Sequence, residues 1–143
     1  MMSKLRLIFL IILTPIFFFS CKQNSPIPEV YVNFYLELNN PVFTPLNTIG
    51  GYIVIQDEGY KGIIICRTNF DQFAVYDAAC TYDPHDTWGR VVPESNGLFA
   101  KDTVCGSKFD LYYGYAQNGP ATIPLKLYMA EYNPNTNTLF IHN

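Results

Sequence analysis

Cys80-Thr81-Tyr82-Asp83-Pro84-His85 and Cys105-Gly106-Ser107-Lys108-Phe109-Asp110 are the two segments that decide how this chain is read. After them come Gly114, then Gly119-Pro120-Ala121, then Pro124-Leu125. Aspartate, proline, glycine and serine favour turns, so each cysteine sits in a loop. The glycines and prolines that follow mark a hairpin and a further turn.

Before the first loop the pattern is that of strands. Val30, Val32, Phe34, Leu36 and Leu38 alternate with Tyr31, Asn33, Tyr35 and Glu37, a period of two that gives a strand one buried face. Asn39-Asn40-Pro41 ends it, and a loop holding Pro45 leads to Gly50-Gly51. Apolar runs follow over 52–56, 63–67 and 73–76, separated by Asp57-Glu58-Gly59 and by Asn69-Phe70-Asp71-Gln72. Val91-Val92 begins a strand leaving the first loop. In the tail, Leu125, Leu127 and Met129 alternate with Lys126, Tyr128 and Ala130. Asn133-Pro134-Asn135-Thr136-Asn137 then turns the chain into 138–141 as a closing hairpin. Short strands between frequent turns describe an all-β sandwich or barrel.

Composition agrees. The chain has 143 residues, enough for one domain, and is 49% hydrophobic and 15% charged. Eleven Phe and eleven Tyr favour strands, and ten Pro and nine Gly supply turns. Without Lys4 and Arg6 of the leader, seven basic residues face twelve acidic ones, a net charge of −5. No basic stripe exists, which sets nucleic-acid binding aside.

The ordered set of motifs resembles the Rieske-type 2Fe-2S domain superfamily. Gly62-Ile63-Ile64-Ile65, then Phe73-Ala74-Val75-Tyr76-Asp77, then Cys80-Thr81-Tyr82 follow the order of that family's first half. Gly106-Ser107-Lys108-Phe109-Asp110, Gly114, Gly119-Pro120-Ala121 and Pro124-Leu125 keep the spacing of its second, over about residues 50–141. The resemblance implies a Rieske-like antiparallel β domain with two facing loops and closing hairpins.

The ligands diverge from that frame. A Rieske cluster takes two thiolates on one iron and two imidazoles on the other. Cys80 holds the first cysteine position, Tyr82 the first histidine, Asp102 the second cysteine and Cys105 the second histidine. The resemblance implies that the loops face each other, which makes Cys80 and Cys105 neighbours able to form a disulfide in an oxidising compartment. That bond would add about 3–4 kcal/mol in the chain-entropy model. The expectation is therefore a domain without a cofactor, non-enzymatic, with a structural or binding role and a Cys80–Cys105 clasp. The alternative is a 2Fe-2S electron carrier ligated by Cys80, His85 and Cys105, with a fourth ligand sought among Tyr82, Asp83, Asp102 and His142.

Residues 1–20 read as a lipoprotein signal peptide. Lys4 and Arg6 precede an apolar run from Leu7 to Phe19, too short for a membrane-spanning helix of about 20 residues. Ser20-Cys21 closes it in a manner that resembles a bacterial lipobox, which implies acylation of Cys21 and membrane attachment through lipid. Lys22 after the cysteine favours the outer membrane by the known sorting rules. Residues 21–29 then form a lipidated cysteine and a tether, and 30–143 the domain. An unidentified envelope protein is the expected partner.

Other chemistry is weak in this sequence. His85-Asp86 with Ser95 or Ser107 lacks a nucleophile elbow. Asp83, Asp86 and Asp102 match no calcium-loop spacing and read as solvated loop charges. Cys66, among isoleucines, reads as a buried, inert thiol. Trp88, Tyr112, Tyr113 and Tyr115 read first as core and hairpin packing, and otherwise as an exposed patch for a partner.

Overall fold

Ile63-Ile64-Ile65-Cys66 is a continuous apolar run, and the computed structural model, which describes residues 25–143, shows why. Ile64 and Cys66 point into one core, and Ile63 and Ile65 into another. A strand buried on both faces has no reason to alternate. This strand, β3 (Ile63–Asn69), is the centre of an antiparallel sheet in the order β2-β3-β4, with β2 at Tyr52–Ile55 and β4 at Gln72–Asp77.

Two further sheets cover the two cores. One has the order β1-β10-β9, with β1 at Asn33–Glu37, β9 at Met129–Asn133 and β10 at Thr138–His142. It supplies Leu36, Leu139 and Ile141 to the core lined by Ile63, Ile65 and Val75. The other has the order β5-β6-β7-β8, over Val91–Pro93, Phe99–Asp102, Lys108–Asp110 and Ala116–Asn118. It packs Val91, Ala100 and Phe109 against Ile64, Cys66 and Tyr76. The two cysteine loops emerge from this second core, where Cys80 is itself a member.

The first strand buries the expected face, with Val32, Leu36 and Leu38 inside and Tyr31, Tyr35 and Glu37 outside. The loop holding Pro45 is a 3-10 helix, Pro41–Asn47. Asn40 caps it by accepting the Val42 amide at 3.1 Å, and Pro41 stands where an amide proton would have no partner. The closing hairpin is present, with Asn137 in the left-handed region at φ 52°.

The segment before it departs from the apolar alternation. Leu127 and Met129 are exposed, and Lys126 and Tyr128 are buried. Tyr128 Oη donates to Asp77 Oδ2 at 2.8 Å, and Lys126 Nζ donates to Pro28 O and Glu29 Oε2, both at 3.0 Å. Satisfied polar tips let the longer, partly apolar stems go inside. The same lysine holds residues 28–29 against the domain, and Ile27 is 2% exposed. The last part of the expected tether is therefore packed. Residues 1–24, with the leader and Cys21, lie outside the described residues.

Candidate functional site

Both loops are pinned by backbone and Asx-type bonds. The first leaves β4 through Ala78, whose amide donates to Gly62 O at 2.8 Å and whose carbonyl accepts the Val91 amide at 2.8 Å. Farther along, Asp86 Oδ1 accepts the amides of Trp88 and Gly89 at 2.8 and 2.7 Å. Those amides, Gly89 first, hold the Asp86 carboxyl below its ordinary range. Lys61 Nζ donates to Gly89 O at 2.7 Å and to Asp86 O. In the second loop Asp102 Oδ1 accepts the amides of Val104 and Cys105 at 2.9 and 2.7 Å. The two loops are stitched together where Thr103 N donates to Arg90 O at 3.0 Å and Thr103 Oγ1 to Trp88 O at 3.1 Å.

These bonds set Cys80 Sγ and Cys105 Sγ 3.4 Å apart, as two thiols. One carboxylate oxygen of Asp102 completes a group whose three ligand atoms lie within 4.8 Å of one another. Asp102 is 2% exposed, so the expectation of a solvated loop charge is wrong for it. Its Oδ2 is buried with no hydrogen-bond partner among the described residues.

Ser107 braces the second sulfur. Its hydroxyl accepts the Ala121 amide at 3.0 Å and lies within hydrogen-bond distance, 3.0 Å, of Cys105 Sγ, where either group can donate. The Ser107 amide also faces Cys105 Sγ, at 3.5 Å. A glycine is required opposite. Gly119 has φ +96°, and a Cβ there would come within 2.6 Å of Ser107 Cα. Cys80 is 2% exposed. Burial pushes its thiol up to about 11 against the lowering effect of the Tyr82 amide, with Cys105 and the Asp102 charge adding to the rise. Cys66 is buried away from the pair, and burial raises its thiol to about 11 as well, in keeping with an inert role.

Neither imidazole reaches the sulfurs. His85 is exposed, bonds Tyr60 Oη through Nδ1 at 3.2 Å, and stands outside the three-atom group. The alternative set of Cys80, His85 and Cys105 is thus not assembled. Asp102 takes the third place. His142 pairs with Glu131 at 3.4 Å on the β9–β10 hairpin. Tyr82 is 59% exposed. Three of the four family ligand positions converge, but as two sulfurs and a carboxylate, which does not fit a cluster that needs two imidazoles.

Trp88 is 84% exposed, so core packing does not account for it, whereas Tyr113, also exposed, packs on Tyr112 and Tyr115 within the hairpin, with ring centroids 6.3 and 6.2 Å apart. Tyr82, Trp88 and Val104 put apolar surface on the two loops. Sequence reasoning missed the contact of Ser107 with the Cys105 sulfur and ranked His85 above Asp102. The spacing Asp102-x-x-Cys105, with its Asx turn, was the signal available.

No protein-family model and no curated protein sequence matches the chain. Solved structures do match in shape. The ferredoxin of carbazole 1,9a-dioxygenase from Nocardioides aromaticivorans IC177 aligns with TM-score 0.50 and 12% identity, covering 79% of this chain and 97% of that one. A chain of the complex of reduced oxygenase and oxidized ferredoxin in carbazole 1,9a-dioxygenase aligns with TM-score 0.50 and 14% identity, over 80% and 94%. The fold is Rieske-like. At such identities the likeness concerns the fold alone.

Proposed function

We propose that this chain is a lipid-anchored cell-envelope protein whose Rieske-like domain carries no cluster and serves a structural or binding role, with the loops clasped by a Cys80–Cys105 disulfide. The observation that carries the reading is the donor set: two sulfurs and the Asp102 carboxylate within 4.8 Å, with both histidines of the chain engaged elsewhere. A thiol pair 3.4 Å apart needs only a small closure to reach the roughly 2.05 Å of a disulfide. Forming it releases two protons and passes two electrons to an envelope disulfide oxidant, whose own sulfur–sulfur bond is reduced to two thiols. The lipid anchor rests on Cys21 and the leader before it. The exposed Tyr82, Trp88 and Val104 on the loops are the surface that an envelope partner would cover.

Iron and acid-labile sulfide analysis of the purified full-length protein, with a visible spectrum, tests the reading. A colourless protein without stoichiometric iron or sulfide is expected. A brown protein with two irons and two sulfides per chain would overturn it in favour of a 2Fe-2S electron carrier.

A further inference from the structure

We propose that the reduced Cys80–Cys105 pair, together with Asp102, is a binding site for one thiophilic divalent cation of the zinc class. The inference rests on the cluster-free reading and concerns the reduced state of the pair alone, since the Cys80–Cys105 disulfide and a bound ion exclude each other.

Geometry supplies the first argument. Two thiolates each about 2.3 Å from one tetrahedral ion stand about 3.8 Å apart. The observed separation of 3.4 Å lies within a few tenths of an ångström of that value, so the reduced pair needs little adjustment to hold one ion. One Asp102 oxygen completes the face within the same 4.8 Å group. Two sulfurs and a carboxylate are a donor set that suits Zn²⁺ better than magnesium or calcium, which prefer oxygen throughout.

The buried carboxylate supplies the second. Asp102 Oδ1 is occupied by two backbone amides, and Oδ2 has no partner among the described residues. A buried, unpartnered carboxylate oxygen is unfavourable by itself, and an ion bound beside it removes that penalty. The support around the site is also of the right kind. The Ser107 hydroxyl, which accepts from Ala121 and lies 3.0 Å from Cys105 Sγ, keeps a proton that it can turn toward a thiolate there. Binding displaces the two thiol protons to solvent and leaves the carboxylate as it is. Cys105 is half-buried rather than fully enclosed.

The test uses the full-length chain with Cys21→Ser, purified in detergent and held reduced by a phosphine under anaerobic conditions. Co²⁺ is titrated as a spectroscopic probe and then displaced by Zn²⁺. One equivalent should bind, with thiolate-to-cobalt charge transfer in the near ultraviolet and the visible bands of a tetrahedral site. Asp102→Asn keeps an oxygen for the Val104 and Cys105 amides but loses the second carboxylate oxygen, and it should weaken binding tenfold or more. Cys66→Ala should leave the titration unchanged. On the unaltered pair, Zn²⁺ should slow alkylation of Cys105 at least tenfold, a readout that does not depend on any variant folding. Absence of charge transfer, equal affinity in Asp102→Asn, or unprotected Cys105 would each overturn the proposal. Stoichiometric iron and sulfide in the protein as isolated would instead overturn the cluster-free reading, so the two failures are told apart.

Discussion

Tyr128 Oη donates to Asp77 Oδ2 at 2.8 Å, which ties the segment before β9 to the point where the first cysteine loop leaves β4. Asp77 is fully buried and takes three more bonds, from the amides of Tyr60 at 2.6 Å, Lys61 at 3.2 Å and Ala79 at 2.9 Å. Four donors on one carboxylate make it the anchor of the loop that carries Cys80.

Tyr128→Phe removes one of those donors without opening a cavity. Hydrogen bonds to a buried charge contribute roughly 1.5–3 kcal/mol, and the variant should lose about that much in urea unfolding. Asp77→Ala strands several donors at once and should cost more than Tyr128→Phe. An unchanged unfolding midpoint in both would show that the anchor does not matter.

Alkaline pH should destabilise the fold. Cys66 goes from an ordinary 9.0 to about 11 on folding, because burial disfavours the thiolate. Below pH 9 both states keep the proton. Between pH 9 and 11 the unfolded chain releases it and the folded chain does not, so stability falls as pH rises through that window, by roughly 2–3 kcal/mol from this group. Tyr76 and Tyr128 are also raised, each by burial first, and should extend the fall above pH 10. Urea titrations at pH 8 and pH 10.5 measure the drop. Equal midpoints would mean that Cys66 does not stay buried as a thiol.

The disulfide reading gives a thiol count. Protein isolated from the envelope and denatured without reductant should show one free thiol, that of Cys66, with Cys21 acylated. Three would exclude the Cys80–Cys105 bond. Cys105→Ser should lower stability by about 3–4 kcal/mol relative to the oxidised protein.

The proposed lipidation at Cys21 predicts that globomycin makes the precursor accumulate in growing cells. Normal maturation under the drug, or an unchanged mass after Cys21→Ser, removes the lipid anchor and with it the envelope localisation.

The strands and the two loops were legible in the sequence because their signals are local. Alternation in 30–38, the isoleucine run at 63–65 and the turn residues around Cys80 and Cys105 act over a few bonds, and the glycine-proline frame carried the likeness to a known fold. Four things were not legible. Tyr128 and Lys126 go inside in place of Leu127 and Met129 because of partners far away in sequence, at Asp77, Pro28 and Glu29. Trp88 faces water although it is the largest apolar side chain of the chain. His85 turns to Tyr60, and Asp102 turns inward to the sulfurs. Local patterns decide which residues form strands and turns, since φ/ψ preference and side-chain period are properties of neighbours. Which donors meet at one point is decided by contacts between loops separated along the chain, and only the tertiary structure brings Cys80, Asp102 and Cys105 together while leaving both histidines outside.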